Sequence, residues 1–463
     1  MLFVEPRFFL FFLIVFAVYW AIPGNRPRKV WLLGASWLFY AAWDWRFLIP
    51  MVAITVIDWW VGAKLGETGD PVRRHRLVLL ALVTNLANLF FFKYFNFFAD
   101  SLAHLLAAFG TEASWTTLNI VLPVGISFYT FHMLSYVIDV YRGELQPRRS
   151  LLDIALFAAI FPQLVAGPIL RASSFLPQFE EKRSFAEVPV RACMTMFLIG
   201  YIKKACVSDN LSPFVDPVFL DPSAFTADAI VGAVLLYAVQ IYCDFSGYSD
   251  MARGLAALMG VDLMVNFNRP YLATDPRDFW RRWHISLSTW LRDYLYIPLG
   301  GSRGGGRRTA LALFATMVLG GLWHGAAWTF VAWGAFHGTL LVLHRFLSLE
   351  RGVSVPDTLV GRWISRIVMF HLVGFGWLLF RAESLSQVST VLSALGSSWS
   401  LSLWAVQGLA GVGGVTLLLN AVERWSREDV HLTPRLLAGL GVLWVLTWLA
   451  APVAGRPFLY FQF

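Results

Sequence analysis

Apolar runs long enough to cross a bilayer recur along almost the whole chain, and they constrain its fold more than any other feature. They begin at about residues 7, 30, 47, 77, 118, 151, 188, 228, 309, 327, 363, 402 and 434. Each approaches the ~20 residues a helix needs to cross ~30 Å of hydrocarbon. Lipid admits only helices or closed barrels, because it cannot hydrogen-bond a bare backbone. These runs are too long and too evenly apolar for barrel strands. The expectation is an all-α polytopic membrane protein with roughly 10 to 13 embedded helices. Composition agrees: 14% of residues are charged, against about a quarter in soluble domains. No single water-soluble core could hide a mean hydropathy of +0.61 over 463 residues.

The net charge of +8 would suggest nucleic acid as a partner in a soluble protein. Here it reads as the positive-inside rule, with no nucleic acid involved. Arg26, Arg28 and Lys29 lie in the first loop, Lys64, Arg73, Arg74 and Arg76 in the third, and Arg142, Arg148 and Arg149 in the fifth. The second loop and the fourth (about 98–117) are poor in positive charge. The alternation puts the N-terminus outside and the odd loops in the cytoplasm. The apolar run Phe8 to Tyr19 has no small-residue cleavage site after it and reads as a retained transmembrane helix. Cys193, Cys206 and Cys243 form neither a CxxC pair nor a metal-spaced cluster, so no metal site is expected.

The whole chain reads as one integral membrane domain. Its least hydrophobic internal stretch, about 252–308, holds nine arginines: Arg253, Arg269, Arg277, Arg281, Arg282, Arg292, Arg303, Arg307 and Arg308. It is expected on the cytoplasmic side, partly sunk into the interface. Gly300–Gly306 lacks the spacing and the Lys-Ser/Thr end of a phosphate loop.

Three segments carry candidate chemistry. Read as one helix, Asp278–Pro298 puts Trp280, Trp283, Leu287, Trp290 and Tyr294 on one stripe. Arg281, Ser288 and Arg292 fall on another, with His284 one turn from Ser288. Such a helix can be an interfacial anchor, or its arginines can face an anion such as the phosphates of coenzyme A or of a carrier's phosphopantetheine. Next, His324 stands in the apolar span around Leu319–Phe330. An ionisable side chain there is a functional hypothesis by default, though it can also bond a neighbouring helix. Gly321 and Gly325 form a small-xxx-small pair suited to close helix packing. His337, His132 and His371 are weaker candidates, with a structural role preferred for His337. Third, Asp244 and Asp250 close an apolar span and are read as structural, with the Arg281/Arg282 region as the expected partner. Phe161–Pro168 breaks a helix with two prolines and a glycine, as cavity-lining segments do.

Taken together, Phe161–Pro168, Tyr242–Asp250, Asn266–Tyr271, Phe279–Trp290, Arg292–Gly301 and Leu322–Ala326 resemble the membrane-bound O-acyltransferase (MBOAT) family. The likeness is to its bacterial branch, typified by the membrane subunit of alginate O-acetylation. It covers a core of about residues 120–345, and its one noted departure is Cys243, where an aromatic residue is expected.

The resemblance implies a ring of tilted helices around a transmembrane tunnel. It implies His324 as the catalytic histidine and His284 as the second functional one. Arg281, Arg282, Trp283, Ser288, Arg292, Asn266 and Trp323 are then expected to bind substrate or donor. The expected enzyme is an acyltransferase of the bacterial inner membrane with no bound cofactor. It would take acetyl groups from a cytosolic thioester, acetyl-CoA or a carrier thioester, for O-acetylation of an extracytoplasmic polysaccharide such as alginate. A neutral imidazole at His324 would act as general base or carry the acyl group itself. His284 would orient the donor or its thioester carbonyl. A separate periplasmic esterase-like (SGNH) partner would complete the transfer. Peptidoglycan O-acetylation and D-alanyl transfer to teichoic acid are close variants. From a different class, a transporter or flippase would use His324 as a proton relay.

Overall fold

Within the described residues the apolar runs form helices, as a backbone in lipid requires. The computed structural model describes residues 2–111, 118, 120–164, 167–352, 357–396 and 398–400, with isolated positions 406, 410, 413, 414 and 459. No strand occurs among the described residues. The apolar runs from about 402 and 434 lie outside them.

Five continuous helical stretches are long and apolar enough to cross a membrane: Asn25–Glu67, Pro71–Ala108, Ala227–Leu258, Trp328–Ser348 and Leu359–Arg381. Two shorter apolar stretches, Pro6–Ala21 and Leu151–Leu164, accompany them. At 43 residues, Asn25–Glu67 is about twice the length one crossing needs. It is divided at Asp44, whose backbone is extended (φ −158°, ψ 114°) and whose carboxylate accepts from the Arg46 amide. It therefore holds two of the apolar runs. The protein is a multi-pass, all-helical membrane protein.

The chain falls into two compact units, Met1–Cys193 with Ala252–Met264, and Met194–Met251 with Val265–Phe463. In the first, local chemistry sets the helix ends. Asp70 caps Pro71–Leu89 by accepting from the Val72 amide, and Ser150 caps Leu151–Ala159 by accepting from the Asp153 amide. Phe161 packs against Phe11, Phe12 and Phe39. The break expected at Phe161–Pro168 is present: Leu151–Ala159 ends, and a four-residue helix, Phe161–Leu164, follows.

The second unit is cored by Trp283, Trp333, Trp377, Tyr237 and Phe279, each no more than 1% exposed. Its helices approach closely where glycine permits. A Cβ on Gly200 would collide with the Gly247 carbonyl, and one on Gly321 with the Phe330 carbonyl and the Gly334 backbone. Gly305–His324 and Trp328–Arg345 therefore pack backbone to backbone at Gly321 and Gly334, while Gly325, expected to share this role, lies past the helix end against the Phe330 ring.

The expected single helix over Asp278–Pro298 does not form. Pro276–Arg282 and Ile285–Leu291 are separate, and a π-helical turn, Arg292–Tyr296, follows. The break is at His284, in the left-handed region (φ 43°, ψ 55°). A non-glycine residue there costs about 1–3 kcal/mol and persists only where its surroundings impose it. Here the Asn266–Asn268 segment does so. Asn268 N–H donates to the Arg282 carbonyl (2.8 Å), and Ile285 N–H donates to the Asn266 carbonyl (2.9 Å). The aromatic stripe is thus split between two short helices, with Trp283 and Leu287 fully in the core.

Candidate active site

His324 is the last residue of helix Gly305–His324, and the chain is extended at Gly325 and Ala327 before Trp328 restarts a helix. The imidazole therefore sits at a helix end rather than within a continuous span. It is 5% exposed and is surrounded by the rings of Trp323, Trp333 and Phe380, with centroids at 5.0, 5.1 and 5.4 Å. The ring of His284, itself 0% exposed, is 6.2 Å away.

The hydrogen bonds around His284 define its tautomer. Asn266 Oδ1 accepts from the Ser286 backbone N–H (3.2 Å) and from Ser286 Oγ (2.8 Å). A backbone N–H can only donate, so the amide atom facing it is the oxygen. His284 Nδ1 lies 3.2 Å from that same oxygen and 3.4 Å from Ser286 Oγ; with the hydroxyl donating to Asn266 at 2.8 Å, Nδ1 carries the ring hydrogen. Nε2 then presents a lone pair, and no described residue hydrogen-bonds to it. Burial, the dominant influence, pushes the pKa of His284 from the ordinary histidine value down to about 3, so this ring is neutral at physiological pH. Asn266 is held in turn by Ser249 (3.3 Å), and Phe245 meets the imidazole edge-on at 4.7 Å. Four sequence motifs thus converge: Tyr242–Asp250, Asn266–Tyr271, Phe279–Trp290 and Leu322–Ala326.

A cavity of about 500 Å³ lies in the same unit, with Ile285, the residue after His284, in its wall; its volume is within the range of ligand pockets. Arg277, Arg281, Arg292, His344 and Arg345 line it, with Trp280, Ser288 and Met317. Arg292 is paired with Asp293 (2.6 Å), and His344 lies 3.6 Å from Asp275. Among the described residues, Arg277, Arg281 and Arg345 have no carboxylate partner. Three uncompensated guanidiniums around one cavity suit a polyanion.

Of the residues expected to bind substrate or donor, Arg281, Ser288 and Arg292 meet in this cavity. Arg282 does not line it and pairs with Asp278 at 2.8 Å. Trp283 is a core residue, 4.7 Å from Trp377. Asn266 positions His284. Trp323 packs against both histidines. Arg277 was counted only as part of the basic stretch, and His344 and Arg345 were missed. They sit at the end of Trp328–Arg345, where the basic residues resemble any helix terminus.

The expected pairing of Asp244 and Asp250 with Arg281 or Arg282 is not found. Lys204 bridges Asp244 (2.6 Å) and Asp209 (2.7 Å), and Lys203 meets Asp250 at 3.0 Å. Both lysines are on the π-helical segment Ile202–Ser208, next to the close approach at Gly200 and Gly247. Two adjacent lysines in an apolar stretch were the signal that would have revealed them. His132 is buried against Gln163 (2.7 Å), and His371 is exposed and bonded to the Ile367 carbonyl (2.8 Å).

Comparison with known proteins adds an independent line of evidence. The model of the membrane-bound O-acyltransferase family matches residues 144–371. The chain is 44% identical over 422 residues to the probable alginate O-acetylase AlgI of Pseudomonas aeruginosa, covering 90% of this chain and 80% of that protein. It is 33% identical over 451 residues to a peptidoglycan O-acetyltransferase of Helicobacter pylori (90% and 81%). Against a teichoic acid D-alanyltransferase of Bacillus subtilis, identity is 27% over 283 residues (57% and 70%).

Proposed function

The chain belongs to the membrane-bound O-acyltransferase family, and on that premise we propose that it moves acetyl groups from a cytosolic thioester for O-acetylation of an extracytoplasmic polysaccharide, alginate before others. Likeness to the alginate O-acetylase is higher than to the peptidoglycan enzyme over the same share of the chain, which favours the alginate reading. The observation that carries the mechanism is the buried His284–His324 pair in the same unit as a cavity lined by uncompensated arginines.

The donor is acetyl-CoA, with its phosphates at Arg277, Arg281 and Arg345. His324 acts as general base: it takes the proton of the acceptor hydroxyl as the oxygen attacks the thioester carbonyl. The C–S bond then breaks, and the imidazolium returns the proton to the leaving thiolate. The tautomer of His284 defines its part. Nε2 can only accept a hydrogen bond, so it holds the acceptor hydroxyl or an N–H of His324. Orienting the thioester carbonyl, one of its two expected roles, would need a donor on that nitrogen, while orienting the donor molecule would not. The enzyme works in the bacterial inner membrane, and a separate periplasmic esterase-like partner completes delivery to the polymer.

Purified protein with labelled acetyl-CoA tests this. His324→Ala should lower thioester turnover by about 10²–10⁴-fold, the range for losing a positioned base, with membrane insertion unchanged. Wild-type turnover in that variant would refute the assignment.

A further inference from the structure

His337 is 1% exposed, and neither ring nitrogen has a hydrogen-bond partner among the described residues. Its ring stacks on Phe279 at 6.0 Å with 9° between the planes, and meets Trp280 and Trp333 at 5.2 and 4.8 Å. The indole N–H groups of Trp280 and Trp333 also lack partners among the described residues. Buried polar atoms are nearly always bonded, so four orphans on three touching rings require an explanation. Packing does not provide one, since phenylalanine would stack on Phe279 equally well without leaving nitrogens unpaired. Gly376 adds a second constraint: a Cβ there would lie 2.7 Å from His337 Nε2, so only glycine lets the helix Leu359–Arg381 pack this close to the ring.

The three rings also have a direction. Trp280 lines the arginine-rich cavity, and Trp333 touches His324. A ligand group lying along them would be slender and largely apolar. It would carry carbonyl oxygens for the two indole N–H groups, and both an acceptor and a donor for a neutral imidazole. A secondary amide in an alkyl chain has that chemistry. We propose that His337 is a specificity-determining residue that hydrogen-bonds an amide of the donor's thioester arm, with Trp280 and Trp333 donating to its carbonyl oxygens. This inference rests on the thioester-donor reading above.

The test compares two donors, S-acetylpantetheine, which carries two amides, and S-ethyl thioacetate, which carries none. The readout is the ratio of their kcat/KM values, followed by thiol release. In His337→Phe the ratio should fall about tenfold relative to wild type, the factor that one lost hydrogen bond supports. His337→Gln keeps a donor and an acceptor and should recover part of the ratio. Gly376→Ala, which crowds Nε2, should lower it as well if His337→Phe does not fold. Equal losses on both donors, or an unchanged ratio, would overturn the proposal and leave the donor reading standing. A wild-type protein that cleaves neither thioester would overturn that reading and this proposal with it.

Discussion

At the scale of single residues, the proposed chemistry depends on how His284 is held. Its left-handed backbone turns the imidazole out of any helical register. Asn266 then takes the Nδ1 hydrogen and leaves Nε2 as an acceptor. In the sequence, its apolar setting singles out His324, whereas His284 is expected only from the family resemblance. The sequence does not identify the tautomer, which depends on an amide 18 residues away in the chain. Nor does it predict that Asn266 serves His284 rather than a substrate. The burial of His284 has a measurable consequence. Its pKa is about 3 when folded, against 6.5 for a free histidine. Unfolding therefore lets the ring take up a proton that the folded state refuses. Its contribution to stability is present above pH 6.5 and is lost as the pH falls, at about 1.4 kcal/mol per pH unit between 6.5 and 3. Thermal unfolding in detergent from pH 7.5 to 5 should show a shallower acid dependence for His284→Gln than for wild type. Identical slopes would place His284 in water in the folded protein.

At the scale of elements, glycine decides which helices touch. Gly321 was legible as a packing signal, and Gly305–His324 meets Trp328–Arg345 at backbone contact there, whereas its expected companion Gly325 lies past the helix end. Gly321→Val would press a branched side chain into the Phe330 carbonyl. Overpacking of this kind costs about 1–3 kcal/mol, and the midpoint of thermal unfolding should drop accordingly. Gly34→Ala has open space around its Cβ and should leave the midpoint nearly unchanged. The break within Asp278–Pro298 was not legible. Helical periodicity holds across it, and only the tertiary hydrogen bonds to Asn266 and Asn268 override it. The same limit explains the misassigned partners of Asp244 and Asp250. Charge pairing in a membrane depends on which helices approach, and Gly200 and Gly247 bring Lys203 and Lys204 close instead of the arginines.

At the scale of the whole molecule, the all-helical multi-pass architecture followed from apolar run lengths alone, because lipid leaves the backbone so few options. The family followed from ordered motifs rather than from periodicity, and the comparisons agree with it. Sidedness is expected from charge. Three of the four arginines in the cavity wall, Arg277, Arg281 and Arg292, lie in the basic stretch expected on the cytoplasmic side, and the proposed function has the donor enter from there. The central claim is that the His284–His324 site accepts acetyl groups from that side. The direct measurement is thioester cleavage in sealed vesicles of defined orientation, with membrane-impermeant labelled acetyl-CoA supplied to one face at a time. Cleavage only with donor on the cytoplasmic face, and its loss in His324→Ala, is the predicted result. Cleavage that proceeds equally from the outer face, or that persists without His324, would contradict the account.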